Sequence, residues 1–162
     1  MREPRAEAPR MPSGYGVPKD GSGGERLPWS WAVEQLTAAR NYWICTTRGD
    51  GSPHAAPVWG IWFDDAVWFG TSPDSLKGRN LARDPRVVIH LESGDDVVIL
   101  HGEVERFVLN DAIADAYNEK YDYRPDPDET SGEGWYRLRP RRALAWLERD
   151  YPKTATRFDF DR

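Results

Sequence analysis

The chain has 162 residues, a net charge of -5 and 39% hydrophobic residues, which suffices for one domain with a core and excludes two large ones. The acidic balance removes the basic footprint of a duplex-binding protein, and no apolar run reaches the roughly 18 to 20 residues of a membrane span. The start MREPRAEAPR lacks the apolar stretch of a secretory signal, and the lone Cys45 excludes an internal disulfide or a cysteine metal site, so a reducing, cytoplasmic setting is expected, with neither nucleic acid nor membrane as partner.

Residues 1–28 hold five of the 13 prolines and five of the 14 glycines and few large apolar side chains, and read as a disordered N-terminal arm ahead of a folded domain at 29–162. Trp29, Val33 and Leu36 at helical spacing predict a short helix, with Ser30 placed to cap it and Asn41 to stop it. The period then changes. Tyr42 to Thr47, His54 to Phe63 and Ala66 to Thr71 are β-branched and aromatic runs separated by Gly49-Asp50-Gly51 and Asp64-Asp65, the pattern of three hairpin-linked strands. In the second run Ala56, Val58, Gly60 and Trp62 share one face and Pro57, Trp59, Ile61 and Phe63 the other. Bulk on both faces suggests a barrel wall whose outside is covered by a helix, a ligand or a second subunit.

Ser72-Pro73-Asp74-Ser75 predicts a helix start with Ser72 as cap, and Asp84-Pro85 ends that helix near Arg83. Arg86 to Glu92 and Val97 to Phe107 form a second hairpin, Asn110 caps a helix carrying Ile113, Ala114, Tyr117 and Tyr121 on one stripe, and Trp135 to Leu147 resumes strand character around Pro140. Six or seven antiparallel strands with peripheral helices suggest a small barrel.

The segment from Trp68 to Leu81 carries most of the chemistry. A strand ends, a hydroxyl-rich turn follows and a helix begins with Ser75 and Lys77 in its first turns, so Thr71 and Ser75 hydroxyls, free amides and the Lys77 ammonium would make a phosphate cradle. The plain alternative is a well-capped surface helix. Of the three histidines, His90 and His101 fall on neighbouring strands of the second hairpin and are placed to meet, as structural residues in preference to a zinc pair. Cys45 reads as a small buried hydrophobe. Asp126, Asp128, Glu129 and Glu133 form an acidic loop within 125–134, an exposed loop or a lid, and Arg137, Arg139, Arg141 and Arg142 either pair with it or hold an anionic cofactor tail.

Taken in order, Gly51-Ser52-Pro53-His54-Ala55-Ala56-Pro57-Val58-Trp59, Thr71-x-x-x-Ser75-x-Lys77-x-x-Asn80-Leu81, Asp84-Pro85-Arg86-Val87, Gly102 to Arg106 and Ala155 to Phe160 resemble the pyridoxamine 5'-phosphate oxidase-like split-barrel family of flavin and deazaflavin oxidoreductases. The resemblance implies a split β-barrel homodimer that binds FMN or the deazaflavin coenzyme F-420 at its interface. It places Ser75 and Lys77 on the cofactor phosphate with Thr71 and Asn80 beside them, and lays Pro57, Val58 and Trp59 along the ring. Trp146 or Arg157 would complete the side facing a small planar substrate. The chain carries Pro57, Gly60 and Ile61 where the true oxidase has basic residues, and Thr156-Arg157-Phe158 in place of its C-terminal substrate segment, so the expected chemistry is hydride transfer by a reductase. The alternative from another class is a non-catalytic, stress-associated flavin-binding or cofactor-carrier module.

Overall fold

The structure, a computed structural model, describes residues 3–16, 24–128 and 134–160. In chain order its elements are β1 (Arg5–Glu7), α1 (Trp29–Ala38), β2 (Asn41–Thr47), β3 (Pro53–Trp59), β4 (Ile61–Phe63), β5 (Ala66–Thr71), α2 (Leu76–Arg83), β6 (Arg86–His90), β7 (Asp96–Phe107), α3 (Asp111–Tyr121), β8 (Gly134–Leu138), β9 (Arg142–Leu147), α4 (Tyr151–Thr154) and β10 (Thr156–Asp159). Every strand pairing is antiparallel, and the strands run β1-β10-β9-β7-β6-β2-β3, with β8, β5 and β4 branching from the far half of β7. This is the open, split-barrel arrangement with peripheral helices that the resemblance implied, with ten strands in place of the six or seven expected, because short segments such as β1, β4 and β10 pair at its edges.

The split originates in the long β7. Its first half, Asp96 to His101, pairs with β9, and its second half, Val104 to Phe107, pairs with β8, so one strand serves two sheets. Alternation along the strands sends Tyr42, Ile44, Ile89, Leu100, Phe69 and Leu138 inward, where they are almost wholly buried against Trp29 and Leu36 of α1. A second cluster beneath α3 joins Ile113, Ala114 and Tyr117 to Ile61, Ala66, Trp68 and Trp135. The Asn110 side chain accepts from the Ile113 amide at 3.1 Å and fixes where α3 begins, as its sequence position predicts.

The strand expected over His54 to Phe63 is broken at Gly60. A side chain there would meet the Trp68 carbonyl oxygen at 3.0 Å and the Tyr42 ring at 3.1 Å, so the chain can pass only as glycine. The interruption frees backbone groups, and α3 satisfies them: the Gly60 amide donates to the Tyr121 hydroxyl at 2.9 Å, while the Gly60 carbonyl accepts from Lys120 Nζ at 2.9 Å. The Tyr117 hydroxyl reaches the Trp59 carbonyl at 3.0 Å and the Trp68 carbonyl at 3.2 Å. Side chains of α3 thus tie β3 to β5 where no strand pairing does.

Several boundaries differ from expectation for local reasons. Pro28 precedes α1, which places Ser30 inside the helix, and Asn41 opens β2. Ser75 caps α2, because Ser72 is used by the preceding turn: its carbonyl accepts from Ser75 N and its hydroxyl from Asp74 N. Residues within the expected arm are ordered by pairing. β1 adds to the free edge of β10 with Arg5 opposite Asp159 and Glu7 opposite Arg157, and the Leu27 amide donates to Thr156 Oγ1 at 3.0 Å. Residues 17–23 of that arm and 129–133 of the acidic loop lie outside the described residues. No described helix is long and apolar enough to cross a membrane.

Candidate functional site

The start of α2 gathers the hydroxyls and the cation that the sequence singled out. β5 ends at Thr71, whose buried Oγ1 lies 3.1 Å from Ser75 Oγ, and Ser75 Oγ in turn accepts from the Gly78 amide at 3.0 Å. The amides of Leu76 and Lys77, the first two of the helix, have no intrahelical acceptor. Among the described residues the lysine found in an ion pair is Lys153, with Asp150, so the half-buried Lys77 ammonium keeps no carboxylate of its own. Gly78 is part of the construction. A Cβ at that position would lie 2.8 Å from the Pro73 carbonyl oxygen, so the turn folds onto the helix start only because no side chain intervenes. Two amides without an intrahelical acceptor, two coupled hydroxyls and a lysine on one helix start are the groups that would hold a phosphate-sized anion.

Asn80 does not join that cradle. It is 2% exposed, its amide donates to Thr46 Oγ1 at 3.0 Å, and its carbonyl oxygen accepts from Arg83 at 3.4 Å. With Arg83 also bonded to the Thr47 carbonyl, Asn80 fastens α2 to β2 and acts on the site only by holding the helix in place.

β3 is the edge of its sheet, and its two faces differ sharply. Val58 points into the core at 8% exposure, so of the three ring-lining residues expected, its side chain is the one turned away. Pro57 and Trp59 lie on the outer face with Ala55, and Trp59 is 44% exposed. The Trp59 indole stacks nearly parallel on Tyr121, with centroids 4.7 Å apart and an interplanar angle of 7°. Burial pushes the Lys120 ammonium down to about 8, and it lies 4.8 Å from the Tyr42 ring centre and 5.4 Å from that of Tyr121. Tyr117, Lys120 and Tyr121 therefore organise this corner; the sequence placed the two tyrosines on one stripe of α3, and the lysine between them was missed.

The outer face of the sheet continues from Pro57 without a covering helix. Register places Pro57, Trp43, His90, Ile99, Leu144 and Arg157 in one row across β3, β2, β6, β7, β9 and β10, and Ala55, Cys45, Val88 and His101 in the next. His90 faces Ile99, not His101, which lies opposite Val88; instead His90 stacks beside Trp43 at 6.2 Å. Beside this row a cleft of about 950 Å³ is bounded by Cys45, Val88, Leu144 and Arg142, with Pro9, Arg10 and Met11 on its far wall. Burial pushes the Cys45 thiol up, away from the thiolate a nucleophile needs.

Trp146 and Arg157 share this outer face but not the neighbourhood of Pro57. They lie four and five strands away, roughly 19 and 24 Å at the usual spacing of about 4.8 Å, so within one chain they cannot complete a site at β3. Arg157 is bonded to Glu7 and Asp159. Among the described residues the arginine cluster is paired: Arg137 with Glu105, Arg139 with Asp64, Arg141 with Glu103 and Arg142 with Asp159. The β7–β8 register puts Glu105 opposite Arg137.

A family model described as Pyridoxamine 5'-phosphate oxidase matches residues 32–147. No curated protein matches the sequence. Among solved structures, a conserved hypothetical protein from Mycobacterium tuberculosis is 25% identical, with a TM-score of 0.65 over 79% of this chain and 91% of its own. An F-420 reductase is 23% identical with a TM-score of 0.54 over 66% of this chain and 90% of its own. A heme binding protein from Mycobacterium smegmatis is 24% identical with a TM-score of 0.56, covering 75% of this chain and 55% of that one.

Proposed function

We propose that this chain, which belongs to the pyridoxamine 5'-phosphate oxidase-like split-barrel family, is a reductase that uses FMN or the deazaflavin coenzyme F-420 and works as a homodimer on a small planar substrate. The observation that carries the reading is the start of α2, which presents the Leu76 and Lys77 amides beside the Thr71–Ser75 hydroxyl pair, on the helix that also carries Lys77. These groups would hold the cofactor phosphate, with the ring lying against the exposed face of Pro57 and Trp59. The bound ring would supply the hydride chemistry, and the protein supplies placement and charge.

The second copy follows from the uncovered sheet face. Trp43, Val88, Ile99, Leu144 and Trp146 share an outer surface that no described helix shields, and a two-fold axis near its middle would bring the β9–β10 end of one protomer onto the β3 end of the other. Trp146 of each chain would then face the groove of the partner, which reconciles its sequence resemblance with its distance from Pro57 in a single chain.

The test is a titration of the purified protein with each cofactor, followed by absorbance, and then anaerobic turnover of quinones, nitroaromatics and conjugated tetrapyrroles with the reduced forms. Binding of one cofactor with reduction of such an acceptor supports the assignment. Binding of neither, or oxidation of pyridoxamine 5'-phosphate with FMN and oxygen, overturns it.

A further inference from the structure

The corner where β3 meets α3 holds a second set of groups with no structural purpose of their own. Several arginines of this acidic chain are neutralised locally, as Arg86 is by Asp84 and Arg142 by Asp159. Arg40 is set against aromatic rings. Among the described residues it pairs with no carboxylate, and its guanidinium carbon instead lies 5.8 Å from the Trp59 ring centre and 5.9 Å from that of Tyr121. Glu92, the acid beside this corner, accepts from the Asn41 amide at 3.4 Å.

The backbone of Arg40 is tied to the stack, because its carbonyl lies 2.6 Å from the Tyr121 hydroxyl, which also faces the Gly60 carbonyl at 2.6 Å. Tyr123 adds a third ring, 6.4 Å from Trp59 and tilted by 59°, so that a flat indole and an inclined phenol meet at an angle. Both are open to solvent, Trp59 at 44% and Tyr123 at 48%. A flat apolar wall beside a fixed, unneutralised guanidinium matches a ligand that is itself flat and acidic: the ring stacks, and the acid takes the fork of N–H donors.

We propose that Arg40, Trp59 and Tyr123 form a recognition site for planar aromatic anions, so that the substrates of this groove are conjugated rings bearing a carboxylate or a comparable acid group. The proposal rests on the reading of the β3 face as the redox groove, since Pro57 and Trp59 belong to both. Arg40 is the residue that selects for charge. Trp59 and Tyr123 select for a flat ring.

The experiment compares 2-naphthoate with its neutral near-isostere 2-naphthamide by calorimetric titration of the full chain at neutral pH and low salt. The wild type is expected to bind the acid about tenfold or more tightly than the amide, the scale of one charge-assisted pair. Arg40→Gln should abolish that preference while leaving amide affinity unchanged, Arg40→Lys should restore part of it, and Trp59→Leu should weaken both ligands. Equal affinity of the wild type for acid and amide, or a preference that survives Arg40→Gln, overturns the proposal. Cofactor titrations run in parallel keep the two readings apart: a protein that binds cofactor but shows no acid preference loses only this site, and one that shows the preference but binds no cofactor loses only the redox assignment.

Discussion

Replacing Lys77 by alanine isolates the part of the α2 cradle that serves a ligand and not the fold. The ammonium makes no ion pair among the described residues, so its removal breaks no internal contact of that kind and should leave the melting temperature unchanged. Bound phosphate would receive from it a hydrogen bond with full charge on both partners, worth about 1.5–3 kcal/mol, and the dissociation constant should rise roughly ten- to 150-fold. Ser75→Ala is the informative contrast. Ser75 caps the helix through Gly78 N, so its loss should cost about 1 kcal/mol of stability as well as affinity, whereas Lys77→Ala should cost affinity alone. Lys77→Arg should recover most of the binding, and the wild-type constant should weaken with salt as the charge is screened. Fluorescence titration with FMN and with the deazaflavin measures all of these. A Lys77→Ala constant within twofold of the wild type for the cofactor that binds would refute the assignment of Lys77 to the phosphate.

Gly78→Ala should lower both stability and cofactor affinity, since its methyl group is forced against the Pro73 carbonyl; thermal melting and titration of the same variant check this, and an unperturbed melt would contradict the packing. Trp43→Lys should turn a dimer into a folded monomer by placing a charge on the outer row, as read by sedimentation; an unchanged mass would move the interface elsewhere. Lys120 is held near 8 in the fold against 10.5 for the free group, so the unfolded chain binds the extra proton between those values and this group makes stability rise with pH through that window. The wild type should therefore gain stability relative to Lys120→Met from about pH 8 to about pH 9.5 in urea unfolding, below the range in which the raised Tyr42 and Tyr121 hydroxyls would oppose it. Deleting residues 1–12 removes β1 and the Glu7–Arg157 pair and should lower the melting temperature by roughly 2–4 °C, the shift expected for about 1 kcal/mol in a domain of this size.

What the sequence disclosed was whatever is decided within a few residues. Asp64 and Asp65 both adopt positive φ, 47° and 55°, in the turn that their position between two apolar runs predicts, and Asn110 caps the helix it precedes. In Tyr42 to Thr47 the strand was legible but its buried face was not: Tyr42, Ile44 and Thr46 turn inward, and Cys45, read as a buried hydrophobe, lies on the partly exposed face. Errors arose where the decision was distant in the chain. Ser72 and Ser75 are equally good caps by residue type, and the packing of Pro73 against Gly78 chose between them. Asn80 resembled a ligand residue because its motif did, but burial against Thr46, 34 positions earlier, gave its amide a different task. Thr156 to Asp159 is too short and too charged to declare itself a strand, and becomes one only because β9 and β1 bracket it.

The location of the candidate site follows from how the barrel fails to close. β3 has prolines at 53 and 57, which remove amide donors from an edge strand and make it a poor template for another. Its neighbour across the split, β5, ends at Thr71 beside the start of α2, and no ladder joins the two strands. Hydrogen-bonding groups freed by the missing ladder would have to be hydrated or satisfied, and here three side chains of α3 satisfy them: Tyr117, Lys120 and Tyr121 bond to the carbonyls of Trp59, Trp68 and Gly60. Because those partners are side chains and not a strand, they occupy only the α3 end of the gap. The outer face of β3 stays open along Pro57 and Trp59, with a cation-bearing helix start at the end of β5 and an aromatic stack at the end of β3. On the function proposed above, the helix start would take the cofactor phosphate and the open face of Pro57 and Trp59 its ring, and both features exist because β3 and β5 are joined by side chains of α3 and not by a ladder.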